Sequence, residues 1–321
     1  MSSSTLADAT GERARAAAPP AHRPAGSTLL TLLRREFWEH RALWIAPLVV
    51  AALLALLSAL GRQASVGMDG RLPGFDGGLT QQNKVALFTI VQWGLSVPLN
   101  IVMLFCVSWY LCDCLYAERR DRSILFWKSL PVSDELTVLS KLLTALVAAP
   151  LVVFALALAA HLAFFAIFKV RVGMGNLPAV LTWNTYEWFR TEVTMLVMLL
   201  ISALWYAPIA AALLVLSVAT RRPLLWATLV PVVAPIIERV ALGTHYLRDF
   251  IAYRAFGIWG TLALPHQSVI SRHYRLHPVG SLLEDLNFRG AFTDMDLWLG
   301  LAAAAALTYA AVRLRRYRDD T

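Results

Sequence analysis

Charge is what this sequence lacks most. Only 16% of its 321 residues are Asp, Glu, Lys or Arg, against roughly a quarter in soluble domains. Four long stretches carry none at all: Ala42–Leu60, Val85–Cys112, Leu142–Phe168 and Val193–Thr220. Runs of that length have no polar face to offer water. They exclude an ordinary soluble domain and point to an all-α polytopic membrane protein. Cysteine is scarce as well. Cys106, Cys112 and Cys114 lie at or near the end of one apolar run, so no disulfide framework is expected. No His or further Cys stands near Cys112-Asp113-Cys114 in sequence, and a metal site is not read there. The dipeptide Gly-Lys never occurs, so there is no G-x-x-x-x-G-K-[ST] phosphate loop and the chain is not read as an ATPase itself. H-E-x-x-H and G-x-S-x-G are also missing, and no catalytic constellation or cofactor motif replaces them. Residues 1–27 are rich in Ala, Pro, Ser and Arg without an apolar core. They are read as a disordered N-terminus and not as a signal peptide.

What is present divides residues 28–321 into one membrane domain. Spans are expected at about 42–60, 85–112, 138–168, 193–219, 224–242 and 296–313, since ~20 apolar residues cross ~30 Å of hydrocarbon. The second and third runs exceed that length and should tilt, kink or project, with Pro98 and Pro150 as kinks. Ahead of the first span, Leu29, Leu32, Leu33, Phe37 and Trp38 share one helical face. Arg34, Arg35, Glu36 and Glu39 fall mostly opposite, which predicts an interfacial helix over Thr28–Arg41. Phe256–Pro265 is too short to cross and reads as a re-entrant or interfacial piece before the last span. Of the 29 Lys and Arg residues, 17 fall in 1–41, 113–141, 219–223 and 313–321. The positive-inside rule then places both termini in the cytoplasm, in a multi-pass protein of a cell membrane, with a bacterial inner membrane the expected setting. The basic residues are scattered between spans, so no nucleic-acid partner is expected.

Few polar residues interrupt the spans. His161 stands alone in the middle of the third, where a lone His is expected to be a packing hydrogen-bond partner. The fifth span meets Glu238 and Arg239 after about 15 residues, roughly 22 Å of helix. That pair is expected at the far interface, the alternative being a neutralised pair inside the protein. His245, His266, His273 and His277 match no ligand spacing.

The compact polar block between the second and third spans runs from Tyr116 to Leu136. Glu118, Arg119, Arg120, Asp121, Arg122, Ser123 and Lys128 make it polar. Ile124, Leu125, Trp127 and Leu130 recur near helical spacing, and Pro131 cannot continue that helix. Ser133 is an N-cap candidate, with Asp134 and Glu135 in the next first turn. The block therefore predicts a short amphipathic helix, a break and a new helix. Its apolar stripe needs a partner, either lipid headgroups or a protein groove.

The run from Glu118 to Asp134, followed by Thr137–Lys141, resembles the first cytoplasmic loop of ABC-2-type transporter permeases. The six-span layout is similar too. The resemblance implies a non-catalytic permease subunit, paired as a homo- or heterodimer in the bilayer and docked on a separate ABC ATPase subunit, with export the expected direction. It also implies that Glu118–Pro131 forms the coupling helix. Two other classes stand beside it. A membrane anchor or sensor would leave the 116–136 block without structure, and an intramembrane enzyme would set a second polar residue facing His161.

Overall fold

The computed structural model describes residues 25–60, 81–123, 132–174, 184–262 and 288–317. Among these residues there are helices and no strands: α1 Ala25–Glu39, α2 Ala42–Leu60, α3 Gln81–Arg120, α4 Asp134–Leu143, α5 Ala149–Gly173, α6 Thr185–Ala219, α7 Pro223–Leu242, α8 Tyr246–Leu262, α9 Phe288–Thr293 and α10 Met295–Tyr317. Six stretches are long and apolar enough to span a membrane: Ala42–Leu60, Phe88–Arg120, Asp134–Gly173, Thr185–Ala219, Pro223–Leu242 and Met295–Tyr317. The protein is an all-α polytopic membrane protein.

Several helices outrun the apolar stretches that mark them. α3 continues past Cys112 to Arg120, α6 starts at Thr185 well before Val193, and α1 starts at Ala25 instead of Thr28. At 1.5 Å per residue, the Phe88–Arg120 stretch is roughly 50 Å long and must extend beyond the hydrocarbon. α4 and α5 form one rod joined by a π-helical turn over Thr144–Ala148. Pro150 explains that turn. It has no N–H for the Leu146 carbonyl and its ring would clash there, and a wider turn relieves both.

α3 and α6 are central. α3 packs on α2, α5, α6 and α7, and α10 lies along α6. Small residues let the backbones approach, with Ala207 and Ala211 of α6 set against Ala304 of α10. The largest core cluster gathers Leu43, Tyr110, Leu111, Val138, Leu214 and Val312. It sits at the end of the bundle where α3 and α10 finish and α4 begins, called here the basal end. The opposite end is distal. α7 is the outlier: beyond Pro223 none of its residues is fully buried. Gly243, in the left-handed region at φ 67°, ends α7 and turns the chain into α8.

Candidate functional site

Four helices meet in one buried ion cluster at the basal end. Glu36 comes from α1, Glu118 from the last turns of α3, Asp134 and Lys141 from α4, and Arg315 from α10. Lys141 Nζ donates to Glu36 Oε1 at 2.8 Å and stands 3.0 Å from Glu118 Oε1. Arg315 extends the chain, with one guanidinium nitrogen 2.8 Å from Glu118 Oε2 and Nε donating to Asp134 Oδ1 at 3.0 Å. The Tyr110 hydroxyl donates to Glu36 Oε2 at 2.9 Å, and His40 Nδ1 lies 3.6 Å from the same oxygen. The side chains of Glu36 and Lys141 are both 1% exposed. A lone charge at that depth would be costly, and the alternation of sign makes the cluster tolerable. Burial alone would raise the Glu36 carboxyl. The Lys141 ammonium and its hydrogen bond, with His40 and Tyr110, outweigh burial and hold it below the usual carboxylate range.

The helix expected before the first span is present, and Glu36 corrects only the face assigned to that residue. The sequence reading set it opposite the apolar face, yet the inward face of α1 is Leu32 with Glu36, while Trp38 is 56% exposed. The reason is electrostatic: Lys141 and Tyr110 offer Glu36 a better partner than water. Glu36, Glu39 and His40 also bring ligand atoms within 4.8 Å of one another. Both Glu36 oxygens, however, are already taken by Lys141 and Tyr110.

Both described ends of the polar connection between α3 and α4 are tied to this cluster. Tyr116–Arg120 is the last turn of α3 and not part of a separate loop helix. Helicity persists there because its polar groups find partners inside the bundle. Glu118 holds Lys141 and Arg315. Arg119 reaches across to cap α6, donating to the carbonyls of Ser217 at 2.7 Å and Thr220 at 3.0 Å. The Ser217 hydroxyl in turn accepts the N–H groups of Leu115 and Tyr116 at 3.2 and 3.0 Å. Arg120 and Asp121 pair with each other at 3.0 Å on the surface. Arg122 takes the left-handed conformation at φ 56° that ends the helix, and the Ser123 hydroxyl donates to the Glu118 carbonyl at 3.3 Å. Beyond the turn, Ser133 accepts from the Leu136 N–H at 3.2 Å, with Asp134 and Glu135 in the first turn of α4. Ile124, Leu125, Trp127, Lys128, Leu130 and Pro131 lie outside the described residues, and so does the amphipathic helix expected there.

His161 has company that the sequence reading missed. Its Nδ1 lies 2.6 Å from Glu192 Oε1 and its Nε2 lies 2.9 Å from the Gln92 carbonyl oxygen. Ser96 Oγ is 3.1 Å from the same Nε2, and Gln92 Nε2 donates to Glu192 Oε1 at 2.9 Å. All four residues are buried. They join α3, α5 and α6 in the distal half of the bundle, beside the stacked Phe88 and Phe165. Glu192 escaped notice because it precedes the uncharged run that marks the span. A Glu one residue before such a run is a readable signal when the helix begins earlier, as α6 does at Thr185.

Glu238 and Arg239 form no ion pair with each other. Glu238 accepts from the Thr244 hydroxyl at 2.7 Å and from the Leu247 N–H at 2.8 Å, so it caps the start of α8. Arg239 is exposed. Phe256–Leu262 is the latter part of α8, and Ala263 to Pro265 lie outside the described residues. α8 packs on α6 through Arg254, whose guanidinium carbon lies 4.5 Å from the centre of the Trp205 ring. Arg254 also donates to the Asp296 carbonyl at 3.1 Å, and Tyr253 donates to the Asp296 carboxylate at 2.8 Å. Partial burial, then that hydrogen bond, pushes the Tyr253 phenol up to about 12. Burial likewise lowers the Arg254 guanidinium.

The two buried clusters do different chemistry. The basal one is a strut of alternating full charges that ties α1, α3, α4 and α10 together. The distal one places Ser, His and Glu in the atomic order of a hydrolase triad, but the Gln92 carbonyl occupies the nitrogen that would accept the serine proton. Comparisons with protein-family models, with curated proteins and with solved structures found nothing that matches this chain.

Proposed function

We propose that this chain is the transmembrane permease subunit of an ABC-2-type ATP-binding-cassette transporter, acting in export. In this reading it sits in a cell membrane with both termini cytoplasmic. It pairs with a second permease copy and docks a separate ATPase subunit through the polar turn between α3 and α4. The basal ion cluster is the observation that carries the reading. Both stems of the turn are pinned to it: Glu118 closes α3, while Asp134 and Lys141 open α4. Glu36 and Arg315 add α1 and α10 to the same unit. A push on the turn therefore moves four helices together instead of bending one loop, which is what a rigid-body switch driven by nucleotide needs. Closure of the ATPase dimer on ATP supplies the push, and α3 and α4–α5 carry it to the pathway between the permease halves.

One observation favours a second reading. Glu192 faces His161 with Ser96 beyond it, as an intramembrane hydrolase would require. Against it, a carbonyl oxygen only accepts. The 2.9 Å contact to the Gln92 carbonyl therefore keeps a proton on Nε2, and that nitrogen cannot act as base for Ser96. Against an anchor or sensor stand the capped start of α4 and the ion pairs that tie Glu118 and Asp134 to Arg315.

Trp127→Ala tests the reading. Trp127 is the largest apolar side chain of the turn, the residue type that most often anchors an interface, and its loss should weaken docking by about 2 kcal/mol. The variant should reach the membrane at normal levels, lose co-purifying ATPase and lose transport-stimulated ATP hydrolysis. Normal transport with the ATPase retained overturns the proposal.

A further inference from the structure

The distal cluster has a proton count that its hydrogen bonds dictate. The Gln92 carbonyl can only accept, so the 2.9 Å contact puts one proton on His161 Nε2. The 2.6 Å contact between Nδ1 and Glu192 Oε1 holds a second proton between them, since two lone pairs would not approach so closely. Glu192 Oε1 also accepts the Gln92 amide N–H at 2.9 Å. With those two protons the His–Glu pair is neutral overall. Two acceptors are then left over, Glu192 Oε2 and Gln92 Oε1. Both are buried and neither has a partner, in residues that are 4% and 0% exposed. Unpaired acceptors at that depth keep the full cost of losing their water.

The two unpaired atoms belong to groups that are already joined along one edge. A carboxyl and a primary amide bond along both edges only when the carboxyl is protonated. The amide N–H then serves one oxygen and the acid O–H serves the amide oxygen. One further proton, on Glu192 Oε2, would make that oxygen a donor, and the amide oxygen of Gln92 is the unpartnered acceptor on the group already bonded to Glu192. We propose that Glu192, Gln92 and His161 form a proton-binding site inside the membrane domain. It takes up one proton on Glu192 Oε2 against Gln92 Oε1, and the cluster passes from neutral to singly positive. Protonated and unprotonated forms differ by one O–H bond, with the proton drawn from solvent and no other bond changed.

The surroundings leave few competitors. α2, packed on α5, has no titratable side chain from Ala42 to Leu60, and α5 has only His161 between Ala149 and Phe168. α3 faces the cluster with Gln92 and the uncharged Ser96, whose hydroxyl also points to Met195 Sδ at 3.6 Å. On α6 the nearest charged groups are Arg190, two residues before Glu192, and Glu187, paired with each other at 2.9 Å. The site is independent of the transport reading and stands or falls without it.

Infrared difference spectroscopy on the full chain in lipid nanodiscs, with 13C-labelled glutamate carboxyls, provides the test. Acidification from about pH 8 to about pH 4 brackets both side-chain types. The wild type should gain a protonated-glutamate C=O band that responds slowly to D2O. Glu192→Gln should lose that band. Gln92→Leu should move it to higher frequency, because the amide acceptor is gone, and this variant decides the matter if Glu192→Gln does not insert. The proposal is overturned if the wild type shows no slowly exchanging band, if the band survives Glu192→Gln, or if it follows Na+ concentration at fixed pH.

Discussion

Removing the Lys141 ammonium while keeping its bulk, as in Lys141→Met, isolates what the basal cluster contributes. In the native protein that ammonium lies 2.8 Å from Glu36 and 3.0 Å from Glu118. Glu118 keeps Arg315 at 2.8 Å after the substitution. Glu36 keeps only the Tyr110 hydroxyl and a half-buried His40 at 3.6 Å. The loss is therefore that of one uncompensated buried carboxylate, which costs about 3–5 kcal/mol. Glu36→Gln in the same background deletes that charge and should restore most of the stability, because a pair replaced on both sides is near neutral. Denaturant unfolding of the purified protein, followed by Trp fluorescence, measures both variants. A loss under about 1 kcal/mol for Lys141→Met, or no rescue in the double variant, refutes the reasoning, since an exposed pair would behave that way.

Three further outcomes are expected. The folded state holds the Glu36 carboxyl below its ordinary 4.5, so the unfolded chain binds more protons. Its stabilisation is complete above that ordinary value and is lost as pH falls through the lowered one; thermal melts of Glu36→Gln should be flatter than wild type in that acid range, and parallel curves would contradict this. A Cβ at Gly300 would land on the Arg254 guanidinium, which Trp205 and the Asp296 carbonyl hold in place. Gly300→Ala should therefore cost about 1–3 kcal/mol by overpacking, read as a lowered melting temperature. Single cysteines at positions 75 and 125, in a background without Cys106, Cys112 and Cys114, should label from opposite faces of the membrane; labelling from one face contradicts the six-span arrangement.

Much of the fold was legible because hydrocarbon imposes a one-dimensional rule: an uncharged run near 20 residues crosses. Ala42–Leu60 coincides with its apolar run, and Pro223–Leu242 matches its expected span to within a residue although Glu238 and Arg239 end the apolar run early. Ser133 was equally readable, since capping is local. Span ends were not. α3 runs to Arg120 and α6 begins at Thr185, because Glu118, Arg119 and Glu192 find partners on other helices, and nothing within a few residues announces them. The basal cluster joins positions 36, 118, 134, 141 and 315. Each looked like a surface charge in its own segment, and only the packing of four helices makes them one site. His161 was singled out for standing alone, yet the residues that give it meaning lie on other helices.

Photo-crosslinking from position 127 in intact cells tests the central claim most directly. With a photoreactive amino acid in place of Trp127, the account predicts one dominant adduct, a separate protein that carries a Walker A phosphate loop. Its yield should change when ATP is depleted, because the turn moves with the ATPase. Adducts to lipid alone, or to proteins without a nucleotide-binding loop, would contradict it.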